Sequence, residues 1–501
     1  MKYVFIAVYV FIFSLALVNC NPTGENGRDN PVPALSAISP GSKVAHMPSF
    51  TLTVEGSNFV SGSKIVFKGT EKETTFVSAA ELTCLIDPDD TVPASPGVQG
   101  RMPAIRQNDT VPVLVRSPAP GGGDSNSCQF IIRKNHTFDL PKNITDNSGF
   151  YSAPANAVDS AGIIYVVWHD RYGSTEGDIY FSRSTDDGAS WGQAVNISDN
   201  PGASRNPAIA IDNTGNIYVV WRDETPGYAC IYFSRSTDGG SSWSRAVNVS
   251  NNLGDYYGTA MAVDGAGNIC VVWHDYCSYP IHNGDIYFSR STDGGVSWSQ
   301  VLNISNNPGV SLDPAIAIDN DGNIGVAWCN RSTGPYGIYF SRSTDNGVSW
   351  SRAVNTSDDS RNFHNPAIAI DTAGNINILS ISCDIVYCSL SFYRSTDEGA
   401  SWSQAVNIFE SEDALWPPVL AVDSAGNINI AWCDEMPGYA YIYFSRSIDG
   451  GSSWSQPAGL SDDYGFAVFP ALAVDSAGNI DILWSDSDLS GEDICFTRST
   501  R

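Results

Sequence analysis

Positive charge is scarce in this chain. Against 54 Asp and Glu stand only 27 Lys and Arg, a formal net charge of −27 over 501 residues. So acidic a surface repels nucleic acid and anionic headgroups, and neither is expected as a partner. Helical periodicity is hard to find. Beyond residue 18 no apolar run is long enough to cross a bilayer, so a membrane would be met only through the N-terminus. The 11 Cys have no zinc-ligand spacing, and no acidic loop has calcium-loop spacing. Neither a metal nor a cofactor is therefore expected. What is abundant is Gly, 45 residues, with 11% aromatics in short apolar runs cut by turn residues. That mixture predicts an all-β fold.

The N-terminus is the apolar exception. A single Lys2 precedes an apolar run from Val4 to Val18, ending in Leu17-Val18-Asn19-Cys20. Residues 1–20 read as a signal peptide for export, too short and wrongly flanked for a stable span. The ending resembles a bacterial lipobox, which implies lipidation at Cys20; Asn19 departs from the usual small residue, and plain cleavage with release is the alternative. Expected locations are the cell surface, an outer-membrane lipoprotein, or the medium. In an oxidising compartment Cys84 and Cys128 are candidates to bridge two strands, Cys383 and Cys388 to clip one hairpin, and Cys277 to reach Cys329.

A polar linker, 21–30, leads to a first domain. Its phrases "FTLTVEGSNFVSGSKIVFKG", "TTFVSAAELTCLI" and "VPVLVRSPAPGGGDS" alternate apolar and polar residues between Gly, Pro and Ser. This predicts a small β-sandwich. The phrases resemble the TIG (IPT) immunoglobulin-like family over 31–134, which implies a spacer or adhesive module without chemistry of its own.

From residue 136 to 501 the chain repeats. The Asp of a D-x-x-G-N hairpin falls at 159, 212, 264, 319, 371, 423 and 475, a period of 52 to 55 residues. A unit near fifty residues with four short strands ("AIAI", "IYVVW", "IYFSRS" and "RAVNVS" in the second copy) predicts propeller blades. "IYVVW" is apolar on both faces, as in a sheet covered on each side. The phrase Ser236-Thr237-Asp238-Gly239-Gly240-Ser241-Ser242-Trp243 fits S/T-x-D-x-G-x-x-W and returns with Asp186, Asp293, Asp345, Asp397 and Asp449. This resembles the Asp box of sialidase-like (BNR) propellers. The Asp is expected to accept backbone N–H groups across the turn, the Gly to take a positive φ, and the Trp to fold back between strands. The seventh unit ends where its box should stand, while "TFDLPKNIT" (137–145) precedes the first. Asn143 lies 16 residues before Asp159, as Asn196 does before Asp212. The orphan strand is thus expected to complete blade seven and close a seven-bladed ring with no open edge.

Repetition separates scaffold from site. Of 13 Trp, six are box residues and six end the second strand; Trp416 alone falls outside. The recurrent Arg of "SRS" is expected to hold a neighbouring carboxylate or carbonyl. The loops entering the first strand and leaving the second share the opposite end from the boxes, where propeller ligands sit. Two positions before the recurrent Pro, the repeats carry Ser152, Arg205, Tyr257, Leu312, His364, Trp416 and Val468. The second strand exits at Asp170, Asp223, Asp275, Asn330, Ser382, Asp434 and Asp486. Arg205, Tyr257, His364, Trp416, Asp170, Asp223 and Asp275 are the candidate ligand-binding rim, suited to a glycan or a protein loop. Solvated loop residues are the plain alternative.

The family resemblance also implies sialidase chemistry: three Arg on a carboxylate, a Tyr nucleophile with a Glu, and an Asp acid/base. The family's R-I-P entry is here Ser152-Ala153-Pro154, without the Arg. Arg171, Arg205, Arg222, Arg331 and Arg361, with Tyr257 and Glu224, Glu410 or Glu435, supply the residue types but fall into no motif. No catalytic residue is assigned. The expected function is a monomeric exported protein whose propeller binds glycans or proteins without catalysis; a sialidase or other glycoside hydrolase, and a purely architectural protein, are the alternatives.

Overall fold

The computed structural model describes residues 32–500 except 40–41, 45–49, 87–108, 120–121, 134–136, 146–150, 171–176, 252–255, 276–283, 307–308, 332–335, 358–360, 437, 462–465 and 489–490. Cys20, Arg171 and Cys277 lie outside the described residues. Every regular element within them is a β-strand. Among them no helix is long and apolar enough to cross a membrane. The chain forms two compact units, 1–137 and 138–501.

The first unit is two packed sheets. One orders Ala34–Ser39, Phe50–Ser57, Glu81–Ile86 and Thr74–Ser78; the other is built around Cys128–Arg133, Asp109–Ser117 and Lys64–Phe67. Alternate residues of both, among them Leu52, Val54, Ile65, Leu82, Val113 and Phe130, form one buried core. Cys84 and Cys128 both enter that core, but from different sheets.

In the second unit each of the first five repeats forms its own four-stranded antiparallel sheet, in chain order. The second, for example, runs Ser204–Ile211, Ile217–Asp223, Cys230–Ser236 and Val247–Asn248. These meanders are consistent with propeller blades. The sixth and seventh repeats belong to one nine-stranded sheet, linked by a single parallel bridge between Ala440 and Phe466. Lys142 and Asn143 pair antiparallel with Phe496 and Cys495 of the last strand, Gly491–Thr500. The orphan segment therefore lies on the outer edge of the seventh repeat.

The doubly apolar second strand has a direct cause. In the second repeat Ile217, Val219 and Trp221 pack with Tyr165, Val167 and Phe181 of the first. Tyr218 and Val220 point the other way, to Ile269, Val271 and Trp273 of the third. Period-two alternation thus feeds two separate inter-sheet cores. The seventh repeat packs on the first in the same manner, Leu483, Ile494 and Phe496 against Ile164, Val166 and Trp168.

The box Trp makes a different contact from the one its sequence suggests. It packs edge-on against the third-strand Phe of the preceding repeat: Trp243 on Phe181 at 5.0 Å, Trp298 on Phe233 at 5.1 Å, Trp350 on Phe288 at 5.0 Å. It therefore joins sheets rather than strands of one sheet. Trp191 of the first repeat sits on Phe496 of the seventh at 5.2 Å. The seventh repeat lacks a box, and there Phe138 of the orphan segment meets Phe444 edge-on at 5.0 Å. The recurrent Arg behaves as expected. Arg183 donates to the Gly239 carbonyl at 2.7 Å, and Arg498 pairs with Asp475 at 2.6 Å and Asp481 at 2.7 Å.

Each box carboxylate is wrapped by donors. Asp238 accepts from the Ser242 N–H at 2.8 Å and from the hydroxyls of Ser236 and Ser242. Serine donors hold Asp186, Asp238, Asp293 and Asp345 down at about 2, and Asp397 is lowered in the same way. A carboxylate whose folded value lies below its unfolded value of about 3.9 stabilises the fold above that value and stops doing so as pH falls through the folded one. The main acid transition is therefore expected between about pH 4 and pH 2. Tryptophan fluorescence during acid titration checks this; a main transition near pH 6 would place the acid sensitivity elsewhere.

Candidate functional site

The rim is built by a repeated irregularity in the first strand. Pairing with the second strand slips after Ser152, Arg205, Tyr257, Leu312, His364, Trp416 and Val468. At the next residue Ala153, Asn206, Asp313, Asn365 and Phe469 take φ between 48° and 54°, and Gly258 takes 54°. The following Pro, where present, needs no ladder partner for its missing N–H, which suits a bulge. The bulge sets the residue before it out of the regular alternation of the strand.

Register then sets each rim residue opposite the residue that follows the strand-end Trp. Arg205 faces Arg222, Tyr257 faces His274, Leu312 faces Cys329 and Trp416 faces Cys433. Of this second ring of variable positions only Arg222 was among the candidate site residues named from the sequence, as one of the Arg that fall into no motif. The buried Arg222 guanidinium lies over the Tyr257 ring of the next repeat, 4.3 Å from its centroid, and its Nε donates to the Tyr256 carbonyl at 3.0 Å. It also pairs with Glu224. Tyr257 stacks on His274 at 6.2 Å. His274 Nδ1 accepts from the Asp313 N–H at 3.2 Å, so that nitrogen is unprotonated. Burial, with Arg331 adding to it, holds His274 down at about 4. Burial pushes the Asp313 carboxyl up, opposed by Arg331 and His364. Arg205, Arg222, Tyr257, His274 and Asp313 thus form one arc over the second to fourth repeats, with Arg331 and His364 near enough to act on it electrostatically.

Trp416 makes a second grouping. Its indole N–H donates to Glu435 Oε2 at 2.6 Å, and its ring meets Phe469 of the seventh repeat edge-on at 5.4 Å. His364 Nδ1 lies 2.8 Å from Asn365 Oδ1, and its Nε2 contacts Cys383 at 3.4 Å. The expected Cys383–Cys388 bridge is formed.

The acidic ring plays a different part from the rim. Asp223 is fully buried, and its carboxylate accepts from Asn200, Ser204, the Trp221 indole and the Thr225 N–H at 2.7 to 2.9 Å. Asp275 accepts from the Asp285 N–H at 2.7 Å, and buried Asp434 accepts from Ser411 at 2.7 Å. Asp170 is half-buried, and its N–H donates to the Asp178 carbonyl at 2.9 Å. The carboxylates of Asp223, Asp275 and Asp434 fasten the ends of their second strands, which explains why most repeats share an Asp there. Among the described residues no group of three or more His, Cys, Asp or Glu is placed to hold a metal. A cleft of 390 Å³ lies away from this rim, among box and "SRS" residues such as Arg394, Trp402 and Gly451.

Residues 33–130 match the IPT/TIG domain family. A Paenibacillus xyloglucanase is 27% identical over 229 residues, 44% of this chain and 18% of its own length. A Bacteroides fragilis sialidase is 25% identical over 195 residues, 30% of this chain and 35% of its own length. The chain thus spans about a third or less of these relatives. Among solved structures, an ulvan lyase superposes with a TM-score of 0.53 at 13% identity, over 70% of this chain and 94% of that one. The first unit is similar to IPT/TIG domains, and the repeat unit is propeller-like and similar in fold to the ulvan lyase.

Proposed function

We propose that this is an exported protein whose repeat unit closes as a seven-bladed propeller and binds glycans at the bulged rim without catalysis. The contacts of Trp191 with Phe496 and of Phe138 with Phe444 support the ring. The apolar run Val4 to Val18 supports export, and the first unit then serves as a spacer. The observation that carries the binding reading is the pairing of Trp416 with Glu435 in the sixth repeat; the Arg222–Tyr257–His274 stack of the second and third repeats is a separate aromatic and cationic grouping. An aromatic face next to a carboxylate suits the apolar face and hydroxyls of a sugar ring. Against catalysis stand the engagements of the acids that a Tyr nucleophile would need. Glu224 pairs with Arg222, Glu435 accepts from the Trp416 indole N–H, and Glu410 accepts from Ser389 at 3.2 Å.

A glycan array read beside a fluorogenic sialoside assay tests this. The expected result is binding without fluorophore release, with affinity reduced about tenfold or more in Trp416→Ala. Release of fluorophore that Arg205→Ala abolishes would replace the proposal with a sialidase. Absence of any glycan binding would leave an architectural role.

A further inference from the structure

The fifth repeat departs furthest from its siblings, and its departures converge on one hairpin. Where five repeats stack the strand-end Trp on a third-strand Tyr, as Trp221 does on Tyr232 at 6.3 Å, the fifth places Ser380 opposite Ser391. The lost aromatic volume is replaced from outside. Its fourth strand, Val406–Ser411, has six residues where the other repeats have two, and brings Phe409 to 5.3 Å from Trp432 of the sixth. The same extended strand carries Glu410 to the hairpin that joins the second and third strands. That hairpin, Cys383-Asp384-Ile385-Val386-Tyr387-Cys388, is closed by a disulfide.

The tip is held in one shape. Asp384 Oδ1 accepts from the N–H groups of Val386 and Tyr387 at 2.8 and 2.9 Å. Arg361 braces its base, donating to Ser389 at 2.7 Å and lying 3.5 Å from Asp384 and 3.6 Å from Glu410. On this rigid support stands an apolar point: Ile385 is 103% exposed and Val386 58%. Glu410, Glu412 and Asp384 surround it, and the Tyr387 hydroxyl reaches Glu412 at 3.5 Å. The disulfide and the Asx turn hold a solvated isoleucine in one conformation, which lowers the ordering cost of any contact that it makes.

We propose that Ile385 and Val386 form a docking point for another protein, whose surface offers an apolar pocket bordered by Lys or Arg. Charge complementarity selects this occupant. The apolar tip is ringed by carboxylates on a chain of net charge −27, which disfavours both a second copy and an anionic bilayer.

Three synthetic peptides serve as probes, two amphipathic (one of Leu and Lys, one of Leu and Glu) and one of Ser and Lys without an apolar face, each titrated against the whole protein by fluorescence anisotropy. The Leu–Lys peptide is expected to bind best, at least tenfold more weakly to Ile385→Ser, and more weakly at high salt. Cys383→Ser/Cys388→Ser keeps the tip residues but loosens them, and is expected to cost several-fold. Near-UV circular dichroism of Ile385→Ser, a change at a fully solvated site, verifies the fold. Equal binding of the Ser–Lys peptide, or indifference to Ile385→Ser, overturns the proposal. So does Ile385-dependent sedimentation with phosphatidylcholine vesicles, which would make the tip a membrane contact. An Ile385-dependent dimer in sedimentation velocity would make it a self-contact and equally overturn it.

Discussion

Replacing Arg498 by Met is expected to destabilise the repeat unit by about 3–5 kcal/mol, because it leaves buried carboxylates without their cation. Arg498 is 2% exposed, and its guanidinium bonds Asp475 and both oxygens of Asp481, which is itself fully buried. It also lies 3.2 Å from Asp187 of the first repeat. The equivalent Arg183 donates to a backbone carbonyl, that of Gly239, so Arg183→Met is expected to cost about 1–2 kcal/mol. Burial already pushes the Asp481 carboxyl up to about 6 against the pull of Arg498. Without that pull its folded value rises further above the unfolded one. The stability of Arg498→Met should therefore fall as pH rises through the folded value, since the buried acid must then ionise unpaired. Urea denaturation of both variants at pH 5 and pH 8 reads the difference. Equal losses in the two variants, or no pH dependence in Arg498→Met, would contradict this account.

The second large effect concerns a box glycine. Gly295 has φ 86°, and a Cβ there would lie 2.0 Å from the Phe233 ring of the preceding repeat. Gly295→Ala combines left-handed strain of about 1 kcal/mol or more with overpacking of about 1–3 kcal/mol. Gly215, in the hairpin of the second repeat, has φ 83° but nothing within 4 Å of its Cβ position. Gly215→Ala should therefore show the conformational cost alone, about 1 kcal/mol. Thermal denaturation of the pair separates the two terms. If both variants lose the same stability, the inter-sheet seat of the glycine is unimportant and the box is only a local turn.

The repeats made much of this fold legible in advance. Seven hairpin Asp at even spacing announce the sheets, and the offset of Asn143 announces the strand that Lys142 and Asn143 add to the last sheet. What stayed hidden depends on geometry that a linear pattern does not carry. The box Trp looks self-sufficient in sequence, yet its partner Phe is some sixty residues upstream, a contact that exists only because neighbouring sheets stack. The bulges at Asn206 and Asp313 have no shared residue type, because φ near 52° is tolerated there by Asn, Asp, Ala and Phe alike. His274 and Arg222 were within reach. They follow the strand-end Trp and vary between repeats, and antiparallel register alone would have set them opposite Tyr257 and Arg205. Buried Asp223 shows the converse error: shared by most repeats and placed at a strand exit, it fastens the loop that follows it. The loss of Trp and Tyr together at Ser380 and Ser391 marked the fifth repeat as different, but not that a longer outer strand would compensate.

Phe138 occupies, in the last sheet, the seat that an indole holds in the others, and the Asp139 N–H donates to the Arg498 carbonyl at 2.9 Å. The first and last residues of this unit are therefore neighbours on a single outer edge. A permuted gene that joins residue 500 to residue 137 and opens the chain in the exposed Thr372–Ala373 turn would move the seam to the fifth repeat while preserving every inter-sheet contact. The order in which the repeats are encoded is, to that extent, independent of the object they build.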